Sequence, residues 1–200
     1  MAQQLTATAA EEPGLATTEL NRLSGIARAA PEQGGAELMR HYGRLASIES
    51  KGRVGDLVTN ADLAAEKVVL DVLAASTPDI AVLAEESGAA GEQDGLRWCV
   101  DPLDGTTNFA HGHPFFATSI GLTFRQKPVL GAIAVPFLGE VYWGAPGVGA
   151  FCNERAINVS SCKQLEDSLL VTGFAYDRHT RLDNNYAEFC CFPHRPRGVR

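Results

Sequence analysis

The sequence contains no uninterrupted apolar run of about 18 residues, so we expect no membrane-spanning helix. No Lys or Arg precedes Arg22, whereas Glu11, Glu12 and Glu19 are acidic. This start excludes the basic residues and apolar centre of a secretion signal, and it is too acidic for a typical transit peptide. Residues 1–17 are rich in Ala, Thr and Gln without an apolar period, and we expect them to form a mobile tail.

Cysteine is also scarce, with five residues in the chain. An odd number, with no CxxC pair, favours neither a disulfide framework nor a structural zinc site. We therefore interpret them as reduced thiols and expect a cytoplasmic protein. The cysteines are Cys99, Cys152, Cys162, Cys190 and Cys191.

Basic residues are fewer than acidic ones, and the formal net charge is −7. This balance argues against a nucleic-acid binder that neutralises phosphates with Lys and Arg. It does not exclude a small phosphorylated substrate, because divalent cations can lie between an acidic site and a phosphate ester. We therefore expect a functional site of this kind among groups of carboxylates.

Apolar spacing predicts helices in the first part of the chain. Residues 18–46 have helical spacing on both sides of Pro31, where we expect a break or a bend. A second, clearer helix carries one apolar stripe over residues 61–73, and Thr59 or Asn60 can cap its start. The charged residues that lie off this stripe are Asp62, Glu66, Lys67 and Asp71.

Short β-type runs with Gly or Pro at the breaks come next. They are Ile80–Ala84, Arg97–Val100, Phe116–Phe124, Val129–Val135, Glu140–Gly144 and Ala150–Cys152, followed by a strand candidate at Leu169–Phe174 and a helix candidate at Asp183–Cys191. The order predicts an α+β fold with helices packed on an antiparallel sheet. We expect an N-terminal metal- and phosphate-binding domain over residues 18–152 and the beginning of a second αβ domain over residues 153–200.

Four acidic residues occupy positions from which they can converge. Asp62 begins a predicted helix, Glu85 follows one predicted strand, and Asp101 and Asp104 follow another. Mg²⁺ takes oxygen ligands and keeps several waters, which leaves room for substrate oxygens. Two such ions can clamp a phosphoryl group, one of them activating a water and the other stabilising the leaving oxygen.

The segment Asp101–Phe109, DPLDGTTNF, combines residue types that suit such a site. Pro102 favours a tight turn, so that both aspartates and the Leu103 carbonyl face one side. Gly105 permits a close backbone approach to a ligand, and Thr106 supplies a hydroxyl and an N–H group. A helix that starts near Gly105 would direct free N–H groups at an anion.

These residue types also have simpler structural interpretations. Asp-Pro and Asp-Gly are ordinary turn formers, and Asp62 is also a favourable charge at a helix N-terminus. The residues alone do not decide between Glu85 and Glu86. Haloacid dehalogenase-type phosphatases use a DxDGT motif, but here two residues separate the aspartates, and we reject that class.

Several segments together resemble the inositol monophosphatase family. DPLDGTTNF resembles the family signature, DLVTNAD at residues 56–62 its upstream metal motif, and AEES at residues 84–87 its glutamate motif, with Ala84 where Gly is usual. The strand at Trp98–Asp101 and the run His113–Gly121 agree in order and spacing. The resemblance covers about residues 18–200 and implies a layered αβαβα sugar-phosphatase fold.

The resemblance implies a metal site for two or three Mg²⁺ ions. Its ligands would be Glu85, Asp101, Asp104 and the carbonyl oxygen of Leu103. Asp62 would bind a further ion or hold a metal-bound water. Lys51 lies where the family has a basic residue on a loop near the metals.

The resemblance also implies the catalytic and substrate-binding residues. Thr106, paired with Glu85, would orient and activate the attacking water, with Asp62 as the third catalytic residue. Gly105, Thr106 and Asp104 would contact the substrate phosphate. The family hydrolyses small phosphate esters by direct water attack, is typically inhibited by Li⁺ and is commonly dimeric.

The resemblance leaves the substrate and the activity of this chain open. Inositol monophosphate is favoured by Thr107, Asn108 and Phe109, and the alternatives are histidinol phosphate, a sugar bisphosphate or a 3′-phosphonucleotide. Chains of the family continue to a Trp-Asp pair whose aspartate is a metal ligand, and the sequence stops at Arg200. We therefore expect a C-terminal truncation, an incomplete second αβ unit and, as a further alternative, a catalytically impaired metal-binding fragment.

Overall fold

The structure is a computed structural model and describes residues 14–50, 52, 57–90, 94–175, 177–192 and 196–200. The helices are α1 (Thr17–His41), α2 (Asn60–Ser76), α3 (Thr106–Ala110) and α4 (Tyr186–Cys191), and Leu165–Asp167 form a turn of 3-10 helix. The strands are β1 (Ile48–Ser50), β2 (Leu57–Thr59), β3 (Ala81–Ala84), β4 (Gly88–Ala90), β5 (Leu96–Asp104), β6 (Ala117–Phe124), β7 (Lys127–Val135), β8 (Glu140–Ala145), β9 (Gly149–Cys152), β10 (Arg155–Ile157), β11 (Leu169–Leu170) and β12 (Gly198–Val199). Within the described part of the chain, none of the helices has the length and apolar character needed to cross a bilayer.

An eight-stranded sheet forms the centre of the first compact unit, with strand order β10-β9-β8-β7-β6-β5-β3-β4. Its neighbouring strands are antiparallel except for β3 and β5, which pair in parallel. The predicted α+β class is confirmed, and the predicted antiparallel sheet is corrected to a mixed one. The parallel pair places the carboxyl ends of β3 and β5 side by side.

Helices α1 and α2 pack together against one face of this sheet. The predicted stripe of α2 is buried at Ala61, Ala65, Val69 and Leu73. Gly34 of α1 lies at a close approach, because an added Cβ would be 2.7 Å from a Val69 methyl group. Trp98 fills the core from β5, and its indole N–H donates to the Thr77 hydroxyl at 3.0 Å.

Of the predicted break or bend at Pro31, the break is wrong, because α1 continues through Pro31 to His41, and the bend stays a prediction. Buried residues lie on both sides of the proline, with Leu23 and Ala27 before it and Leu38 after it. The free energy gained from these core contacts outweighs the loss of the one helical hydrogen bond that proline cannot donate.

The opposite face of the sheet carries a row of small residues in register. Cys99 pairs with Gly121, Gly121 with Gly131, Gly131 with Gly144, and Gly144 with Ala150. These positions alternate with the buried ones on the same strands, so they lie on the face away from α1 and α2. The row forms the floor of a shallow hollow whose lining includes Glu85 and Asp101.

The second compact unit comprises Glu49–Val58 and Asn158–Arg200. In it β11 pairs with β12 in parallel, so the predicted strand Leu169–Phe174 is reduced to two residues. The predicted helix Asp183–Cys191 begins later, as α4 at Tyr186. The predicted domain boundary after residue 152 stays a prediction, and residues 1–13 of the predicted tail lie outside the described residues.

Candidate metal and phosphate site

The carboxylates of Glu85 and Asp101 are brought together by the parallel pairing of β3 and β5. Ala84 is the register partner of Val100, so Glu85 and Asp101 are the next residues on the two strands. The Glu85 backbone N–H donates to the Val100 carbonyl at 3.0 Å, which continues the pairing beyond the end of β3. Glu85 rather than Glu86 therefore stands beside Asp101.

The electrostatics of this pair are unfavourable for two negative charges. Burial raises the pKa of Asp101 to about 7, aided by the Glu85 charge, a hydrogen bond with the Glu85 carboxyl group and the Asp104 charge. The Leu103 backbone N–H donates to Asp101 at 3.1 Å and acts in the opposite direction. A divalent cation would relieve this repulsion, and the oxygen-only donors suit Mg²⁺.

The chain bulges between Asp101 and Asp104. Asp101 pairs with Ser119, and Asp104 pairs with Ala117, so three steps on β5 match two on β6. Residues three apart on a regular strand face opposite sides, whereas this bulge lets both aspartates face the same side. The predicted tight turn at Pro102 is therefore wrong, because the segment remains part of β5.

Gly105 joins this strand to α3 in a conformation that favours glycine. Its φ is 89°, in the left-handed region, and it caps the N-terminus of α3. An added Cβ would also lie 3.1 Å from the Phe115 carbonyl oxygen. The helix start predicted near Gly105 is confirmed, and it places Thr106 in the first turn.

The hydroxyl group of Thr106, in α3, contacts the carboxylate of Asp62, in α2. Its hydroxyl lies 3.1 Å from Asp62 Oδ1 and 3.0 Å from the Leu103 carbonyl oxygen. The pairing of Thr106 with Glu85 expected from the family resemblance stays a prediction. Because a hydroxyl has one hydrogen, it donates to one of these acceptors at a time and keeps lone pairs for another donor.

Asp62 is fully buried, with 1% of its surface exposed, and it serves two structural purposes. Its Oδ2 accepts from the Thr59 backbone N–H at 2.8 Å and from the Thr59 hydroxyl at 2.6 Å, which forms a capping box at the start of α2. Its Oδ1 accepts from Thr106. The simple interpretation of Asp62 as a helix-start charge is thus correct but incomplete.

Glu66 lies off the predicted apolar stripe of α2 and is nevertheless buried. It is 4% exposed, and its Oε2 accepts from the Glu86 backbone N–H at 2.9 Å. The available signal was its spacing, because Glu66 follows Asp62 by four residues and shares its face of the helix.

The proposed ligands do not form a complete metal cage. Across the described ranges, no three His, Cys, Asp or Glu residues are grouped closely enough to hold an ion by themselves. Asp104 and Glu85 are exposed, Asp101 is half-buried, and the Leu103 carbonyl accepts from Thr106. Their assignment as ligands stays a prediction, as does the role of Lys51, which lies outside the described residues.

Comparisons with known proteins agree on one family. The family model described as the inositol monophosphatase family matches residues 19–200. Inositol-1-monophosphatase of Synechocystis is 46% identical over 194 residues, which are 96% of this chain and 68% of that protein. Fructose-1,6-bisphosphatase/inositol-1-monophosphatase of Aquifex aeolicus is 37% identical over 157 residues, which are 78% of this chain and 59% of that protein.

A solved structure agrees with these relatives. The structure of inositol monophosphatase from Anabaena superimposes with a TM-score of 0.79 at 44% identity, covering 90% of this chain and 66% of that one. The chain therefore spans between 59% and 68% of the length of these three relatives.

Proposed function

The chain belongs to the inositol monophosphatase family, and from this premise we propose that it is a Mg²⁺-dependent phosphomonoesterase acting on inositol monophosphate. The observation that carries the proposal is the hydrogen-bonded carboxyl pair of Glu85 and Asp101, with Asp104 close enough to raise the pKa of Asp101. A site so rich in negative charge binds a phosphate ester only with cations between them.

In this proposal Glu85, Asp101, Asp104 and the Leu103 carbonyl oxygen hold the Mg²⁺ ions. Bound Mg²⁺ supplies Lewis acidity, which lowers the pKa of water and neutralises the phosphoryl oxygens. The bulge between Asp101 and Asp104 supports this assignment, because it allows both side chains to face the same side of the sheet. Two or three ions are expected, and Li⁺ is expected to inhibit by competing for this site.

The proton of the attacking water is proposed to leave through Thr106 and Asp62. Thr106 accepts it on its hydroxyl oxygen while its own hydrogen passes to Asp62 Oδ1, the acceptor 3.1 Å away. The water oxygen then forms its bond to phosphorus while the P–O ester bond breaks, and the departing ester oxygen takes up a proton from solvent and leaves as the alcohol. Asp62 is buried and already oriented by Thr59, so it needs little rearrangement to act as this base.

The phosphate is proposed to bind beside Gly105 and Thr106. The left-handed Gly105 turns the chain from β5 into α3, and a helix start directs its backbone N–H groups where an anion can accept from them. Asp104 is proposed to take part in binding the same phosphate as well as in holding the metal.

The substrate itself rests on the family and its named relatives. The Synechocystis relative is named for inositol 1-phosphate, and the Aquifex relative for fructose 1,6-bisphosphate as well. We propose inositol monophosphate first and a sugar bisphosphate second, with histidinol phosphate and a 3′-phosphonucleotide as further candidates. We propose that the protein is cytoplasmic and that its protein partner is a second copy of the chain. Nucleic acid is not proposed as a partner.

The test is phosphate release from each of these esters with Mg²⁺, with and without Li⁺. We expect Mg²⁺-dependent release that is fastest with myo-inositol 1-phosphate and is lost in Asp104→Asn. Faster release from another ester would change the substrate but keep the reaction. A folded chain that releases no phosphate from any of them would contradict the proposed activity.

A further inference from the structure

Glu66 is a buried carboxylate to which the proposed chemistry gives no part. It lies one helical turn after Asp62 on α2 and is 4% exposed. Burying a carboxylate is costly unless it is hydrogen-bonded, so its place in the interior requires a partner. That partner is the Glu86 backbone N–H, which donates to Glu66 Oε2 at 2.9 Å.

The two peptide groups that flank Glu85 are therefore fixed from different elements. The Glu85 N–H donates to the Val100 carbonyl of β5 at 3.0 Å, and the Glu86 N–H donates to Glu66 of α2. Because hydrogen bonds hold the peptide groups on both sides of Glu85, the backbone fixes the direction of its Cα–Cβ bond. The exposed carboxylate makes no contribution to this direction.

These two anchors also connect Glu85 to the other site residues. Val100 immediately precedes Asp101, and Glu66 lies on the same helix face as Asp62. A displacement of β3 relative to α2 would therefore strain the contact at Glu86 before it moved Glu85 away from Asp101.

We propose that Glu66 is a positioning residue that sets the location of Glu85 through the Glu86 backbone N–H. It acts as a hydrogen-bond acceptor, so its negative charge is not what the site requires. The effect on metal binding rests on the proposed function, whereas the hydrogen bond can be tested without it.

Two variants of Glu66 separate the effect of its hydrogen-bond acceptor from the effect of its negative charge. Glu66→Gln keeps a side-chain oxygen that can accept from Glu86, and Glu66→Leu removes it at similar size. Thr77→Val is the matched control, because it deletes the acceptor for Trp98 at the opposite end of α2. Amide hydrogen exchange at Glu86 and the Kd for Mg²⁺ by calorimetry are measured for each variant, with thermal unfolding as the check on folding.

In Glu66→Leu we expect faster exchange at Glu86 and a Kd for Mg²⁺ about tenfold higher, the range seen when groups that orient metal ligands are removed. Glu66→Gln should keep both wild-type values, and Thr77→Val should lower the unfolding temperature without changing the Kd. If Glu66→Gln binds Mg²⁺ as weakly as Glu66→Leu does, the charge of Glu66 matters rather than its acceptor oxygen, and the proposal is overturned. Unchanged exchange at Glu86 in Glu66→Leu would overturn it outright. If the wild type binds no Mg²⁺, the proposed function fails, and exchange at Glu86 still decides the role of Glu66.

Discussion

The hydroxyl group of Thr106 lies 3.1 Å from Oδ1 of Asp62, a residue 44 positions earlier in the chain. This contact joins the first turn of α3 to the first turn of α2. In the proposed reaction, this contact gives the Thr106 hydroxyl a buried carboxylate to which its proton can pass. The same aspartate caps α2, so the proposed catalytic role and the stability of the helix start depend on one side chain.

Removal of the Thr106 hydroxyl should affect the reaction more than binding. In Thr106→Val we expect kcat to fall by about 100-fold or more, because proton transfer by a positioned group contributes that much. KM should change little, since the backbone N–H groups remain. Steady-state kinetics with Thr106→Ser as the control would check this, and Thr106→Ser should retain most of the activity. Equal losses in both variants would contradict the role of the hydroxyl.

The two functions of Asp62 should separate in a pair of variants. Thr59→Ala removes the cap and should lower the free energy of unfolding by about 1 kcal/mol with little change in kcat. Asp62→Asn keeps an acceptor oxygen but loses the base, so its kcat should fall much further than that of Thr59→Ala. Urea unfolding and steady-state kinetics on both proteins provide the comparison. A Thr59→Ala variant as inactive as Asp62→Asn would mean that the cap alone explains the requirement.

The pKa of Asp101 predicts how stability depends on pH without metal. Burial and the neighbouring acidic groups raise this pKa from 3.8 to about 7, so the folded state binds the proton more tightly than the unfolded chain. Its contribution to stability is therefore present below pH 3.8 and is lost as the pH rises to about 7.

Thermal unfolding in a chelator should show this loss, and saturating Mg²⁺ should reverse it most strongly above pH 7, where the carboxyl is ionised. Asp101→Asn should flatten the pH dependence because an amide does not titrate in this range, and its side-chain oxygen can still accept from the Leu103 N–H. A metal-free wild type whose stability follows that of Asp101→Asn at every pH would refute the assignment.

Gly105 should tolerate alanine less well than other left-handed glycines do. Gly112 has a φ of 70° and open space around it, so Gly112→Ala carries the backbone cost alone, about 1–2 kcal/mol. Gly105→Ala adds the approach to the Phe115 carbonyl, for a further 1–3 kcal/mol, roughly the cost of overpacking. Equal unfolding free energies for the two variants would show that the Phe115 contact costs nothing.

Much of the first compact unit could be predicted from the sequence, because the patterns that indicate its helices and strands are local. The apolar stripe of α2 and the short runs of β5 to β9 follow the two side-chain periods of helix and strand. The helix start at Gly105 was readable because glycine suits a left-handed cap.

Features that depend on tertiary contacts could not be predicted from the sequence. The helix through Pro31 is maintained by core packing on both sides, which outweighs the local preference. The parallel pairing of β3 with β5 and the bulge after Asp101 arise from register between strands. The burial of Glu66 requires the loop after β3, which comes 20 residues later in the chain.

The central claim is that Glu85, Asp101 and Asp104 bind Mg²⁺, and a calorimetric titration of the chain with Mg²⁺ at pH 8 tests it most directly. Asp101→Asn and Asp104→Asn are the test variants, and Asp79→Asn is the control, because Asp79 is an exposed aspartate just beyond the far end of α2. The account predicts saturable binding that both test variants weaken at least about tenfold and the control leaves unchanged. Binding that is absent from the wild type, or equal in all four proteins, would contradict it.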